Sequence, residues 1–375
     1  MIYNESIYNK SWETKKLSDL GDFSRGKSKH RPRNDPRLFE GGGYPLVQTG
    51  EIKDANLYIT SHSQEYGEFG LKQSKLWDKD TLCITIAANI AETALLSYPM
   101  CFPDSVVGFR AFDAISTERF MYYVFCFIRN SIQNSVIGST QDNINIDYLT
   151  SLDFKIPSKK EQDKIADILS AIDLKILSNN SINDNLQQQM RLCYEQLMAK
   201  AHSGHLAGKM TTAQCLTDII TGKEDANFSV INGDYKFFTC SNDILHCNKY
   251  AFDSSSILIA GNGDFNVKHY SGKFNAYQRT YVLTPPKEYY AILYLASLYH
   301  INSLKSSSAG SIVKFVTKGD IESIPVFQPD DITHLHNLNN LIFAQEQKSL
   351  ETEKLIQLRD WLLPMLMNGQ ATIAD

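Results

Sequence analysis

The chain has 375 residues, 43% of them hydrophobic and 21% charged, with a net charge of −5. That length accommodates two or three domains with real cores, and the composition excludes disordered, collagenous and disulfide-stapled classes. No apolar run reaches the length of a bilayer span and the amino terminus lacks a basic-then-apolar signal, so seven cysteines without CxxC pairs read as reduced thiols of a cytoplasmic protein.

The first block occupies residues 1–157. Its early loop is basic: Arg25, Lys27, Lys29, His30, Arg31, Arg33 and Arg37 fall within thirteen residues, opposed there only by Asp35. On a mildly acidic chain such a concentration is an electrostatic footprint for phosphate as readily as a solvated loop. β-like runs follow at Tyr44-Pro45-Leu46-Val47, at Leu82-Cys83-Ile84-Thr85-Ile86 and at Ser105-Val106-Val107-Gly108-Phe109, separated by Gly, Asn and Asp turns. A helical stretch over residues 118–134 carries Phe120, Tyr123, Val124, Phe127 and Ile128 on one face. The block reads as α+β.

A long, polar helical segment covers residues 158–202. Ile165, Ile168, Ile172, Ile182, Leu186 and Cys193 follow alternating three–four spacing, with Asn179 and Gln189 on the same seam. Residues 203–328 then repeat the order of the first block. Leu216-Thr217-Asp218-Ile219 with Gly222-Lys223 echoes Leu17-Ser18-Asp19-Leu20 with Gly26-Lys27, and a helical stretch recurs over residues 288–304. The basic loop has no counterpart there. A second long helix over residues 329–370 places Leu335, Leu338, Ile342 and Ile356 on a seam interrupted by Gln345, Ser349, Thr352 and Arg359.

The echoes share one offset. Gly138-Ser139 and Gly310-Ser311 lie 172 residues apart (310 − 138), and the same step matches Tyr122 to Tyr294, Leu149 to Ile321 and Leu152 to Ile324. Each half leaves through a prolyl exit, Ile156-Pro157 or Ile324-Pro325. The expected fold is α+β: two blocks in tandem repeat, separated by two long helices that form an antiparallel coiled coil with pseudo-twofold symmetry. Asn179 and Ser349 take nearly equivalent seam positions (349 − 179 = 170), where polar residues cost stability and fix register.

No catalytic constellation emerges. Gly261-Asn262-Gly263 lacks the third glycine of a dinucleotide loop, and P-loop, GxSxG and HExxH patterns are missing. Cys240 and Cys247 flank His246 without enough further ligands for zinc. The expectation is a non-catalytic recognition protein that needs no cofactor or metal.

Gly138-Ser139-Thr140-Gln141, Ile144, Asp147, Leu149 and Leu152, then Ile156-Pro157, Glu161-Gln162 and Ile165, resemble a junction in the specificity subunits of type I restriction–modification enzymes. Trp12-Glu13 with Leu17-Ser18-Asp19-Leu20, Tyr44-Pro45-Leu46-Val47-Gln48-Thr49-Gly50-Glu51-Ile52, and Leu362-Leu363-Pro364-Met365-Leu366 with Gly369 are similar to that family in the same order along nearly the whole chain. Asp331-Ile332 stands where the second half of a family member has Glu-Gln. The resemblance implies two target-recognition domains, each reading half of a bipartite site on double-stranded DNA, with the helices setting the spacing. It further implies assembly with two methyltransferase subunits and an endonuclease (restriction) subunit, which carry the chemistry.

Direct reading of base edges uses Arg on guanine and Asn or Gln on adenine. On that ground the first block offers Arg31, Arg33, Gln48, Asn89 and Gln141, and the second Asn262, Gln278 and Arg279. Lys27, Lys29, Lys223, Lys268 and His269 suit phosphate. The helix and partner contacts fall to Ile165, Ile168, Ile172, Asn179, Leu186, Leu335, Leu338, Ile342, Ser349 and Ile356. A non-catalytic protein-interaction scaffold with two adaptor domains shares this architecture and differs in its ligand.

Overall fold

The computed structural model describes residues 4–137, 144–307 and 315–373. It divides into two compact units, Met1–Ser178 with Thr352–Asp375 and Asn179–Glu351.

The first unit is built on a five-stranded sheet in the order Gly21–Arg25, Val106–Ala111, Leu82–Thr85, Thr93–Leu96, Tyr58–Ile59. Two of its three inner strands, Leu82–Thr85 and Thr93–Leu96, are buried throughout, so they read as near-continuous apolar runs rather than alternating ones. The helix Glu118–Ile137 packs Phe120, Met121, Val124 and Ile128 into the main core with Ile84, Leu95 and Phe109 of the sheet. A second, four-stranded sheet (Gln64–Tyr66, Tyr44–Leu46, Met100–Cys101, Leu76–Trp77) shares another cluster with the first, in which Trp77 stacks on Phe102 at 4.8 Å. The strand Glu13–Lys16 pairs with Asp153–Ile156, which leads into the first long helix, Lys159–His202.

The second unit has a six-stranded sheet in the order Ile219–Thr221, Thr280–Leu283, Phe252–Ala260, Val267–Ala276, Tyr235–Phe238, Ile244–Cys247. The helix Tyr290–Ser307 joins its core, and the strand pair Gly208–Thr212 with Pro325–Pro329 precedes the second long helix, His336–Met367.

The repeat is visible bond by bond. Gly26 donates its backbone N–H to Val106 O at 2.8 Å, and Gly222 to Thr280 O at 3.1 Å. Ile86 donates to Ser105 O and Gly261 to Arg279 O, both at 2.9 Å. Ile144 then donates to Ile86 O at 3.0 Å, and Val316 to Gly261 O at 2.8 Å. Asn145 and Thr317, again 172 apart (317 − 145), cap the next short helices by accepting from Tyr148 N and Asp320 N. Gly138-Ser139 and Gly310-Ser311 lie outside the described residues.

A buried carboxamide ties each long helix to its unit. Gln162 donates to Ile115 O and Pro157 O, both at 3.0 Å, and accepts from Ser116 Oγ at 2.9 Å. Asn339 donates to Glu288 O at 2.7 Å and accepts from Ala291 N at 3.1 Å, at the start of helix Tyr290–Ser307. The Glu-Gln motif of the first helix is therefore, at its glutamine, an internal clasp, and Asn339 does that work where the second helix lacks the motif.

The helix segments run antiparallel within each unit. In the first, Arg359 pairs with Asp173 at 3.0 Å, while Ile165, Ala166 and Leu169 share a core with Leu366 and Met367. In the second, Asn179 contacts Glu351, Asn183 contacts Ser349, and Asn337 contacts Cys193. Ile165, Ile172, Leu335, Leu338 and Ile342 are buried, and Leu186, Ser349 and Ile356 are half-buried. Ile168, expected on the seam, is instead 37% exposed, with Leu169 buried in its place. The seam steps by four and then three, through Ile165, Leu169 and Ile172, and Ile168 lies about 100° around the helix from Leu169.

Candidate nucleic-acid interface

In the second unit the strand Phe252–Ala260 ends at Gly261, and a tight turn closed by Thr280 N–H to Tyr277 O presents Gln278 and Arg279 beside it. A Cβ on Gly261 would sit 2.6 Å from Arg279 O, so the close approach requires glycine there. The result is a cleft of about 480 Å³ lined by Thr221, Asn262, Gln278, Arg279, Phe315 and Lys318. Arg279 is exposed, and its guanidinium has no hydrogen-bond or ion-pair partner among the described residues. Gln278 is oriented by donating to Asp225 Oδ1 at 2.6 Å, and Tyr281 closes the floor by donating to Val316 O at 3.2 Å. Lys223 is exposed and unpaired among the described residues.

Two expected phosphate contacts are corrected. His269 faces the second long helix: Nδ1 lies 2.9 Å from Glu346 Oε1, Nε2 lies 3.2 Å from Gln345, and the ring packs on Tyr294. Nothing in the local sequence signals that contact, which comes from residues more than seventy positions away. Lys268 donates to Ser241 O and to Asn266 Oδ1, and burial pushes its pKa down. Its charge is committed inside the unit.

In the first unit a cleft of about 330 Å³ is lined by Arg33, Asn34, Gln48, Gln64, Tyr66 and Pro103. Gln48 immediately precedes helix Thr49–Asp54, where its backbone N–H donates to Glu51 Oε2 at 2.7 Å, and its side chain donates to Gln64 Oε1 at 3.3 Å. The basic loop is less free than its sequence suggests. Asp35 accepts from Arg37 and contacts His30 at 2.7 Å, and these bonds hold its carboxyl well below the usual range. Asp104, brought in by the fold, lies 2.6 Å from Arg33 Nη2 and 3.6 Å from Arg31 Nη2. Arg31 also donates to Ser28 O and His30 O. Lys27 and Lys29 are exposed and form no ion pair among the described residues. Asn89 is half-exposed between Ala88 and Ala91, both of which have φ of 61°. Gln141 lies outside the described residues.

Sequence reasoning missed Asn34, Gln64, Asp104, Phe315 and Lys318. Gln64 meets Gln48 only because Gln64–Tyr66 pairs with Tyr44–Leu46, and local sequence carries no signal of that register. Chemically, each cleft presents carboxamides and a guanidinium, whose paired donors and acceptors match base edges. Among the described residues no cluster of His, Cys, Asp and Glu could hold a metal ion, and no helix is long and apolar enough to cross a membrane.

Over 164 residues the chain is 37% identical to the type I restriction enzyme EcoDI specificity subunit of Escherichia coli, covering 42% of this chain and 37% of that protein. Over 184 residues it is 25% identical to the type I restriction enzyme MjaIX specificity subunit of Methanocaldococcus jannaschii, covering 48% of this chain and 42% of that protein. The matched part is thus well under half of either relative. The solved S subunit of a type-I restriction-modification system from M. genitalium aligns with 98% of this chain and 99% of its own at a TM-score of 0.68 and 18% identity, a likeness of fold. The family model for the type I restriction modification DNA specificity domain matches residues 9–188 and 218–333, so both halves of the repeat carry it and the chain belongs to that family.

Proposed function

We propose that this chain is the DNA-reading subunit of a type I restriction–modification complex, with residues 1–157 and 203–328 as its two target-recognition domains. The observation that carries the reading is Arg279, an exposed guanidinium without a protein partner among the described residues, set in a cleft with Asn262 and Gln278. A free guanidinium beside carboxamides suits a guanine edge next to an adenine edge. Exposed Lys27, Lys29 and Lys223 serve the phosphates, which position the duplex without specifying its sequence. Since the two clefts hold different side chains, the two half-sites differ. Methyl transfer and cleavage belong to the partners, two methyltransferase subunits and an endonuclease subunit, and the assembly acts in the cytoplasm.

Long-read methylation mapping of cells that co-express the chain with its methyltransferase subunit tests this. A bipartite modified motif should disappear when the chain is omitted. Arg279→Ala should relax one position of one half-site, a discrimination of about 1–3 kcal/mol. Methylation indifferent to the chain would return the scaffold reading.

A further inference from the structure

The inserted basic loop of the first unit ends where the second unit keeps its own reading turn. The shared backbone bonds place Ser105 in the position of Arg279, since each gives its carbonyl to the residue that follows the inner strand, Ile86 or Gly261. One residue earlier, Asp104 takes the place of Gln278. The first unit therefore lacks a guanidinium of its own at this edge. Its Asp104 instead holds Arg33, with Nη2 donating to Oδ1 at 2.6 Å.

We infer that Asp104 is a positioning residue that fixes Arg33 as the base reader of the first block, so that one edge of the repeated sheet is equipped in two ways: by its own turn in one block and by a captured loop in the other. This rests on the DNA-reading function proposed above. Arg31, by contrast, spends Nη1 on Ser28 O and His30 O and meets Asp104 only at 3.6 Å, so it braces the loop. Arg33 has five N–H donors and gives one to Asp104, leaving a fork for the O6 and N7 of guanine. It lines the same cleft as Asn34, Gln48 and Gln64, which suit adenine or a neighbouring pair. Both members of the ion pair are substantially exposed, with side chains 53% and 38% accessible, and exposed pairs contribute little to stability. A role in orientation and a role in stability therefore predict different results.

The test uses the full chain with its methyltransferase subunits, methylation mapping, and competition binding with duplexes altered at single positions. Asp104→Ala and Arg33→Ala should relax the same position of one half-site, each by about tenfold, and the double variant should lose no more than either alone. The other half-site and the thermal midpoint should stay as in the wild type. The inference is overturned if Asp104→Ala leaves the motif intact, if the two variants relax different positions, or if Arg33→Ala weakens all duplexes equally, as a phosphate contact would. A wild-type chain without any motif of its own would sink the DNA-reading function first, and this inference with it.

Discussion

Gly26 and Gly222 show the repeat at the scale of single residues. Neither has a left-handed backbone, yet a Cβ on Gly26 would lie 2.3 Å from Phe102 O, and one on Gly222 would lie 1.9 Å from Ala276 O. Both contacts are with backbone, which cannot swing aside as a side chain would. Alanine at either position should therefore lower stability by about 1–3 kcal/mol, as overpacking does, and chemical denaturation reads it directly. An unchanged midpoint would mean that the strand edge yields. Arg359 is a second case. In sequence it only interrupts an apolar seam, whereas in the fold it neutralises Asp173, a carboxylate with 1% side-chain exposure that also accepts from Tyr123 Oη at 2.7 Å.

The long helices raise the same question at the scale of elements, because polar residues sit where a seam should be apolar. Glu346 has a clear occupation: it accepts from Tyr290 Oη and Ser271 Oγ, each at 2.8 Å, and meets His269 Nδ1 at 2.9 Å. Burial raises its pKa, and the bonds from His269, Tyr290 and Ser271 together outweigh that, leaving the carboxyl below its ordinary 4.5. A depressed carboxyl adds stability that is present above the unfolded value and is lost as pH falls through the folded one. Thermal midpoints should thus fall as pH drops below about 4.5, and Glu346→Gln should flatten that acid limb. An identical acid profile for the variant would contradict the assignment. Asn179 is fully buried, donates to Glu351 at 3.2 Å, and leaves its Oδ1 without a partner among the described residues. An unsatisfied buried acceptor costs about 1–3 kcal/mol, so Asn179→Leu should raise the midpoint by a few degrees. A lower midpoint would show that the Glu351 contact outweighs that cost.

For the whole molecule, the family match in both halves and the paired backbone bonds describe one fold used twice with different edges. Independence of the two edges is testable by replacing residues 12–157 with the matching segment of another family member. One half of the methylated motif should change and the other persist; a change in both halves would mean that the blocks do not read separately. The duplication, the α+β class, the long helices and the family were legible in the chain itself, because a 172-residue offset and three–four apolar spacing are properties of residue order. The strands near Leu82 and Val106 were legible for the same reason. The condition of each candidate side chain was not. Arg31 and Arg33 looked free until Asp104 was brought to them from some seventy residues away, and His269 looked available for phosphate until Glu346 took its ring. Ile168 looked buried until packing chose Leu169, the alternative step between Ile165 and Ile172. Sequence by itself determined where the chain folds, since burial pattern and turn chemistry act locally. Only the tertiary structure decided which charges remain unspent, because a charge is satisfied by whatever the fold brings near it, at any distance along the chain.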